Sequence, residues 1–285
     1  MTTRSILPHL FAKFILLLSV TWLSACHSSS QDQEEDQRQR PLSKPGPAVS
    51  LLERSIRLGT TTYQYTVSVP PVWSAQPLWP IIISLHDLGD RPMKKDQRGR
   101  GFAKMLQNAA PPFPLVAVFP QCPLPHTWNE PAMQAMVVAI LQQTIQEFHG
   151  DQRRVYLVGH SMGGAGVWAL ASAHPELFAA LVPVAGSVRV LAEAQCLTQP
   201  CTEESLTAAS SAILGKIGST PVWIFHGAKD PVFPVSETRA LVAALTARGG
   251  EVQYTEYAEV GHRCWRRAYS DPALLPWVLA QHRSP

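Results

Sequence analysis

The spacing of apolar positions changes along the chain, and each change marks an element. Thr62 to Val69 alternates with a period near two and is rich in β-formers, which predicts an antiparallel strand early in the domain. Ile81-Ile82-Ile83-Ser84-Leu85 and Leu115 to Phe119 are short apolar runs, as expected of strands covered on both faces. Met133, Met136, Val137, Ile140, Leu141, Ile145 and Phe148 recur at helical spacing, and that helix stops near Gly150. Val155 to Val158 predicts a strand running straight into Gly159-His160-Ser161, followed by a helix from Met162 to Ala173 and a strand from Ala180 to Ala185. Val222 to Phe225 is another buried run. Pro234 to Arg248 predicts an amphipathic helix ended by Gly249-Gly250, Val252 to Tyr257 a last strand, and Pro272 to His282 a closing helix. Repeated strand-then-helix units imply an α/β fold, with a mostly parallel central sheet and helices on both faces.

The first 48 residues follow a different pattern. Arg4 and Lys13 precede an apolar run of about ten residues, Phe14 to Leu23. A bilayer core of ~30 Å needs ~20 residues to span it, so this run reads as an export signal. It ends in Leu23-Ser24-Ala25-Cys26, which resembles a bacterial lipoprotein signal. On that reading residues 1–25 are the signal and Cys26 carries the lipid. Buried methylenes at ~0.8 kcal/mol each would then hold the protein to the membrane. Residues 27–48 are polar or Pro/Gly-rich and predict a disordered tether. His27 after the cysteine, where aspartate is absent, fits passage onward to an outer membrane. Residues 49–285 form the domain.

Composition narrows the partners. Of the 285 residues 46% are hydrophobic, enough for one sizeable core. The net charge of +3 falls to +1 once Arg4 and Lys13 are removed with the signal, so nothing points to nucleic acid. Four further cysteines, Cys122, Cys196, Cys201 and Cys264, can oxidise in an exported protein. Cys196 with Cys201 is a plausible local pair and Cys122 with Cys264 the other, although spacing does not fix connectivity and four free thiols remain the alternative. No Cys/His spacing indicates a metal site.

The chemistry centres on Gly159-His160-Ser161-Met162-Gly163, a G-x-S-x-G at a strand-to-helix junction. Glycines two before and two after the serine permit a sharp turn that lifts the hydroxyl above the sheet, at the positive end of the next helix. A serine needs a base to take its proton, and the base needs an acid to hold it. Asp230, just after the strand Val222 to Phe225, is the candidate acid. His262, in Val260-Gly261-His262 after the last strand, is the candidate base. His160 adjoins the nucleophile in the wrong direction and His226 precedes the acid, so neither suits the base role. An oxyanion needs two backbone N–H donors: Met162 is one, and Asp87 or Leu88 in the loop after Leu85 is the other. Trp128 and Trp265 are candidates for the substrate pocket, with core packing as the alternative for both.

With these residues in place, the sequence resembles the esterase branch of the α/β-hydrolases, grouping polyhydroxybutyrate-depolymerase-like and feruloyl-esterase-like enzymes with phospholipase/carboxylesterase and "predicted peptidase" relatives. The likeness runs through Ile82 to Gly89, the Phe119-Pro120-Gln121-Cys122-Pro123 loop with Trp128, Arg154 to Trp168, Pro221 to Asp230, and Tyr254 to Trp265 with Ala268-Tyr269. It implies a central sheet of about eight strands and ester hydrolysis through an acyl-serine, without a cofactor. The expected substrates are small-molecule or polysaccharide-linked esters, acetyl or feruloyl first. The same triad also serves peptides or thioesters, and an envelope-anchored binding protein that keeps the fold without catalysis is the rival class. One departure stands out. Relatives usually have His-Gly in the oxyanion loop, and here it is His86-Asp87, which puts a side chain where glycine's freedom is usual and a carboxylate near a developing anion. The segment Gly186 to Thr220 is the expected cap over the site.

Overall fold

The computed structural model describes residues 49–71, 78–90, 101–109, 113–189 and 203–283. The expected signal, Cys26, the tether, Cys196 and Cys201 lie outside these. The described chain runs β1 (Ser50–Leu58), β2 (Thr61–Val69), β3 (Trp79–Leu85), α1 (Gly101–Asn108), β4 (Val116–Pro120), α2 (Pro131–Phe148) and β5 (Gly150–His160). It continues as α3 (Met162–Ala173), β6 (Ala180–Val184), α4 (Glu203–Ile217), β7 (Val222–Gly227), α5 (Val235–Ala247), β8 (Val252–Tyr257), α6 (Trp265–Tyr269) and α7 (Leu274–Ala280).

The eight strands form one sheet in the order β1-β2-β4-β3-β5-β6-β7-β8. β2 pairs antiparallel with β1 and β4, and every pairing from β4 through β8 is parallel. β3 shows why its sequence is an unbroken apolar run. Ile81, Ile83 and Leu85 face one core layer and Ile82 faces the other, all within 1% of complete burial. Covering such a side chain stabilises by roughly 1.5–3 kcal/mol, so a polar residue on either face would be costly.

The two layers use different helices. Residues of α2, α3, α4 and α5 fill one, and residues of α1, α6 and α7 fill the other. α4 falls in the segment expected to be a cap. Its Ile213, Leu214 and Ile217 are instead buried in the core beside α3. They recur at helical spacing, and burying them against the sheet leaves this helix unable to swing over the site as a lid.

The parallel topology carries the carboxyl ends of β3, β5, β7 and β8 to one edge of the sheet. Every candidate catalytic side chain follows one of those ends.

Candidate active site

Ser161 stands between β5 and α3 with φ 55° and ψ −117°, a combination that costs a non-glycine residue about 1–3 kcal/mol. The surroundings hold it there. Its N–H donates to the carbonyl of Val184 at 2.9 Å. A Cβ on Gly159 would lie 2.4 Å from the carbonyl oxygen of Gly163, and one on Gly163 would lie 2.1 Å from that of Leu85 and 3.0 Å from that of His86. The first turn of α3 is thus pressed backbone to backbone against the end of β3. This close approach puts Met162 next to the loop that begins at His86.

Ser161 Oγ lies 2.7 Å from Nε2 of His262, and Nδ1 of His262 lies 2.8 Å from Oδ2 of Asp230. Because Nδ1 gives its proton to a carboxylate, Nε2 presents a lone pair and the serine hydroxyl donates to it. Asp230 sits just past β7 with its side chain fully buried. Its Oδ1 accepts the N–H groups of Val232 at 2.8 Å and Phe233 at 3.0 Å. Its Oδ2 also lies 3.1 Å from Nε2 of His226. Burial pushes this carboxyl's pKa up, but the hydrogen bonds from His226, His262 and the Phe233 N–H outweigh it and hold the group well below the usual carboxylate range. The acid is therefore ionised at neutral pH.

His226 is a member of the site that sequence spacing did not select. Its Nε2 also lies 3.0 Å from the carbonyl of Phe233, so that nitrogen carries the proton. Nδ1 then accepts from the hydroxyl of Thr238 at 2.8 Å. The imidazole is thereby fixed in one tautomer and donates to Asp230. Nothing in a linear motif marks it, because its partner Thr238 sits on α5.

The loop after β3 is equally constrained. His86 Nε2 accepts the N–H of Cys122 at 3.0 Å, so its Nδ1 carries the proton and donates to the carbonyl of Asp87 at 2.7 Å. Trp128 Nε1 donates to the carbonyl of His86 at 2.9 Å. Trp128 is completely buried, with its ring edge-on to His86 and its side chain against Gly166 of α3. It therefore braces the loop from below and does not line a substrate pocket, its apolar ring being worth more inside the core. Trp265 differs. It is half-buried and helps line a cavity of about 40 Å³, with His86, Asp87, Phe119, His160 and Tyr269 among its other walls.

Asp87 does not need glycine's conformational freedom. Among the described residues the non-glycine positions with positive φ are His149, Ser161 and Ala185. Its carboxylate turns aside, with Oδ1 accepting the N–H of Asp90 at 2.9 Å and Oδ2 lying 3.1 Å from Nδ1 of His160. Burial raises its pKa, but the hydrogen bond and charge of His160 and the N–H groups of Asp90 and Gly89 outweigh this and hold it below the usual range.

Cys122 and Cys264 are buried free thiols, so the expected pair is not made. The reason is the sheet itself, since Cys122 belongs to the core layer on one side and Cys264 to the layer on the other. Burial and the negative charge of Asp230 push the Cys264 thiol up to about 12, which removes it as a rival nucleophile.

A doubly covered sheet in this strand order, with a strained serine after its fifth strand and an aspartate–histidine pair after its last two, is the α/β-hydrolase fold carrying a Ser-His-Asp relay at the carboxyl edge of its sheet. The model of the prolyl oligopeptidase family matches residues 135–276. Among solved structures, a thermostable esterase is 25% identical with a TM-score of 0.64, over 82% of this chain and 63% of that one. The chain thus spans under two thirds of that esterase. A ferulic acid esterase is 16% identical at a TM-score of 0.61, over 81% of this chain and 98% of that one. An S-formylglutathione hydrolase from Staphylococcus aureus is 17% identical at a TM-score of 0.60, over 84% of this chain and 100% of that one. No curated protein matches.

Proposed function

We propose that the protein hydrolyses carboxylic esters through an acyl-enzyme on Ser161. The observation that carries this is the continuous relay from the Ser161 hydroxyl through His262 to the buried carboxylate of Asp230. His262 takes the serine proton as Oγ attacks the ester carbonyl carbon. The tetrahedral intermediate places its negative oxygen toward the N–H of Met162 and that of Asp87 or Leu88. His262 then returns the proton to the departing alcohol, leaving the acyl group on Ser161. A water activated by the same imidazole releases the acid and restores the serine. Asp230 stays ionised throughout and stabilises the imidazolium that forms.

Small acetyl and feruloyl esters are the substrates to try first, the choice resting on the sequence resemblance and on the esterases among structural neighbours. A peptide-cleaving reading keeps the same machinery and is favoured by the prolyl oligopeptidase family match. The site of action follows from the N-terminal sequence: export, lipid attachment at Cys26 and residence in the cell envelope, with substrate reaching the domain on a tether.

The test is reaction with a fluorophosphonate probe beside turnover of p-nitrophenyl acetate, feruloyl and peptide substrates, in wild type and Ser161→Ala. The reading expects rapid labelling and ester turnover that Ser161→Ala abolishes while the protein stays folded. Full turnover in that variant sinks it, and cleavage of peptides alone transfers it to the second reading. Incorporation of labelled palmitate that Cys26→Ser removes tests the anchor.

A further inference from the structure

The side chains of Asp87 and His160 lie near the relay and take no step in the proposed reaction. They face each other across the gap between the loop after β3 and the end of β5, with Nδ1 of His160 3.1 Å from Oδ2 of Asp87. The other imidazole nitrogen, Nε2, lies 2.8 Å from the backbone carbonyl of His262. His160 thus touches both the loop expected to supply an oxyanion donor and the loop that carries the base. Its ring centroid is 5.0 Å from that of His262.

The donor inventory fixes what this contact requires. A carbonyl can only accept, so Nε2 of His160 must carry a proton. A neutral imidazole would then turn the lone pair of Nδ1 toward a carboxylate oxygen, and the two would repel. The pair is attractive only if it holds one further proton, making His160 an imidazolium opposite an ionised Asp87. The remaining surroundings are consistent with a cation there. Asp90 and His86 on the same loop and Tyr269 on α6 line the cavity that His160 also faces. His86 is already fixed as a neutral tautomer by Cys122 and Asp87, and burial holds the Tyr269 hydroxyl protonated. The positive Arg266 is drawn over the Trp265 ring, its Cζ 5.5 Å from the centroid.

We propose that His160, held as an imidazolium between Asp87 and the carbonyl of His262, is a positioning residue that locks the oxyanion loop to the base loop. The inference rests on the serine-hydrolase reading of the same site. It also changes the meaning of Asp87. The carboxylate that stands where relatives have glycine is neutralised by the residue preceding the nucleophile, so a net-neutral bridge lies near the oxyanion in place of an isolated negative charge. The lock needs the bridge's proton, because without it the lone pair of Nδ1 faces the Asp87 carboxylate and the two repel.

The experiment compares full-length wild type, Asp87→Asn and Asp87→Ala by kcat and KM against pH, with histidine ¹⁵N NMR of the same proteins, the His160 signals being assigned by their loss in His160→Gln. In the wild type both ring nitrogens of His160 should be protonated at neutral pH, and kcat should fall on an alkaline limb. In Asp87→Asn the amide donates to a neutral Nδ1, so the bridge survives uncharged. There the alkaline limb should vanish and Nδ1 should read as unprotonated. Asp87→Ala should lower kcat by roughly 10²-fold with little change in KM, the scale of a small misplacement of catalytic groups. A wild-type His160 with one bare nitrogen at neutral pH, or an alkaline limb unchanged in both variants, overturns the proposal. A doubly protonated His160 in a protein that fluorophosphonate does not label leaves the bridge standing and fails the hydrolase reading instead.

Discussion

His226 and His262 share one oxygen of Asp230: Oδ2 lies 3.1 Å from Nε2 of the first and 2.8 Å from Nδ1 of the second. The acid therefore answers to two imidazoles, one that works and one that holds. His226→Phe should keep the ring volume and remove the donor. The carboxylate then loses one of its four hydrogen bonds, and Thr238 and Phe233 each lose a partner. The expected cost is about 1–3 kcal/mol of stability for the buried groups left unpaired. For a domain of this size that is a fall of several degrees in Tm, at roughly 2–4 °C per kcal/mol. kcat should drop with KM nearly unchanged. A melt and a kinetic profile indistinguishable from wild type would remove His226 from the site.

Ser161 is strained because its hydroxyl is needed where it is. Ser161→Gly relaxes the φ of 55°, whereas Ser161→Ala keeps the strain and loses the same hydroxyl. Both variants should be inactive, but the glycine variant should be the more stable of the two. Relief of ~1–3 kcal/mol of backbone strain exceeds the ~0.4–1 kcal/mol that glycine adds to unfolded-state entropy. Thermal melts of the pair decide it, and an alanine variant that melts above the glycine variant would show that the turn is unstrained.

How much of this was legible in the sequence depended on whether the signal was local. The run Ile81 to Leu85 and the turn Gly159 to Gly163 declare themselves, because burial on both faces and a sharp strand-to-helix turn leave few residue types that fit. Asp230 and His262 were readable from their places after apolar strands. β1 escaped because it is an edge strand with no fully buried residue, so Glu53, Arg54 and Arg57 interrupt its few apolar positions. Trp128 stayed open between pocket and core, because an indole near a catalytic loop has the same letters whether it lines a pocket or braces a carbonyl. The contacts His226–Thr238 and His160–Asp87 join residues 12 and 73 positions apart, and only the folded sheet brings them together. The Asp87 departure was visible, but its consequence was not, since the compensating charge is the neighbour of the nucleophile.

The depressed pKa of Asp230 makes a stability prediction with a defined sign. A carboxyl whose folded pKa lies below its unfolded value of ~3.9 stabilises the fold fully above that value and loses the contribution as pH falls toward the folded pKa. Asp230→Asn should therefore be destabilised most near neutral pH, and the gap in Tm to wild type should narrow as pH drops below about 4. Turnover should fall by about 10⁴-fold, since the asparagine amide cannot hold His262 in the same tautomer. A Tm gap that is constant from neutral to acid pH would mean that the charge of Asp230 contributes nothing to folding.

Gly163 tests whether the oxyanion loop and the nucleophile helix are one mechanical unit. A methyl there would sit 2.1 Å from the carbonyl oxygen of Leu85, and backbone on both sides leaves no flexible side chain to yield. Gly163→Ala must separate α3 from the end of β3, at a cost of about 1–3 kcal/mol or more for overpacking. The separation moves Met162 away from Asp87 and Leu88, so the loss should be seen in kcat even where the protein remains folded. Loss of one oxyanion donor sets the scale, at ~10²–10³-fold. Fluorophosphonate labelling should slow in parallel, because the phosphonyl oxygen uses the same donors. If Gly163→Ala folds and labels at the wild-type rate, the two N–H groups are not held by this contact and the oxyanion site must be built elsewhere.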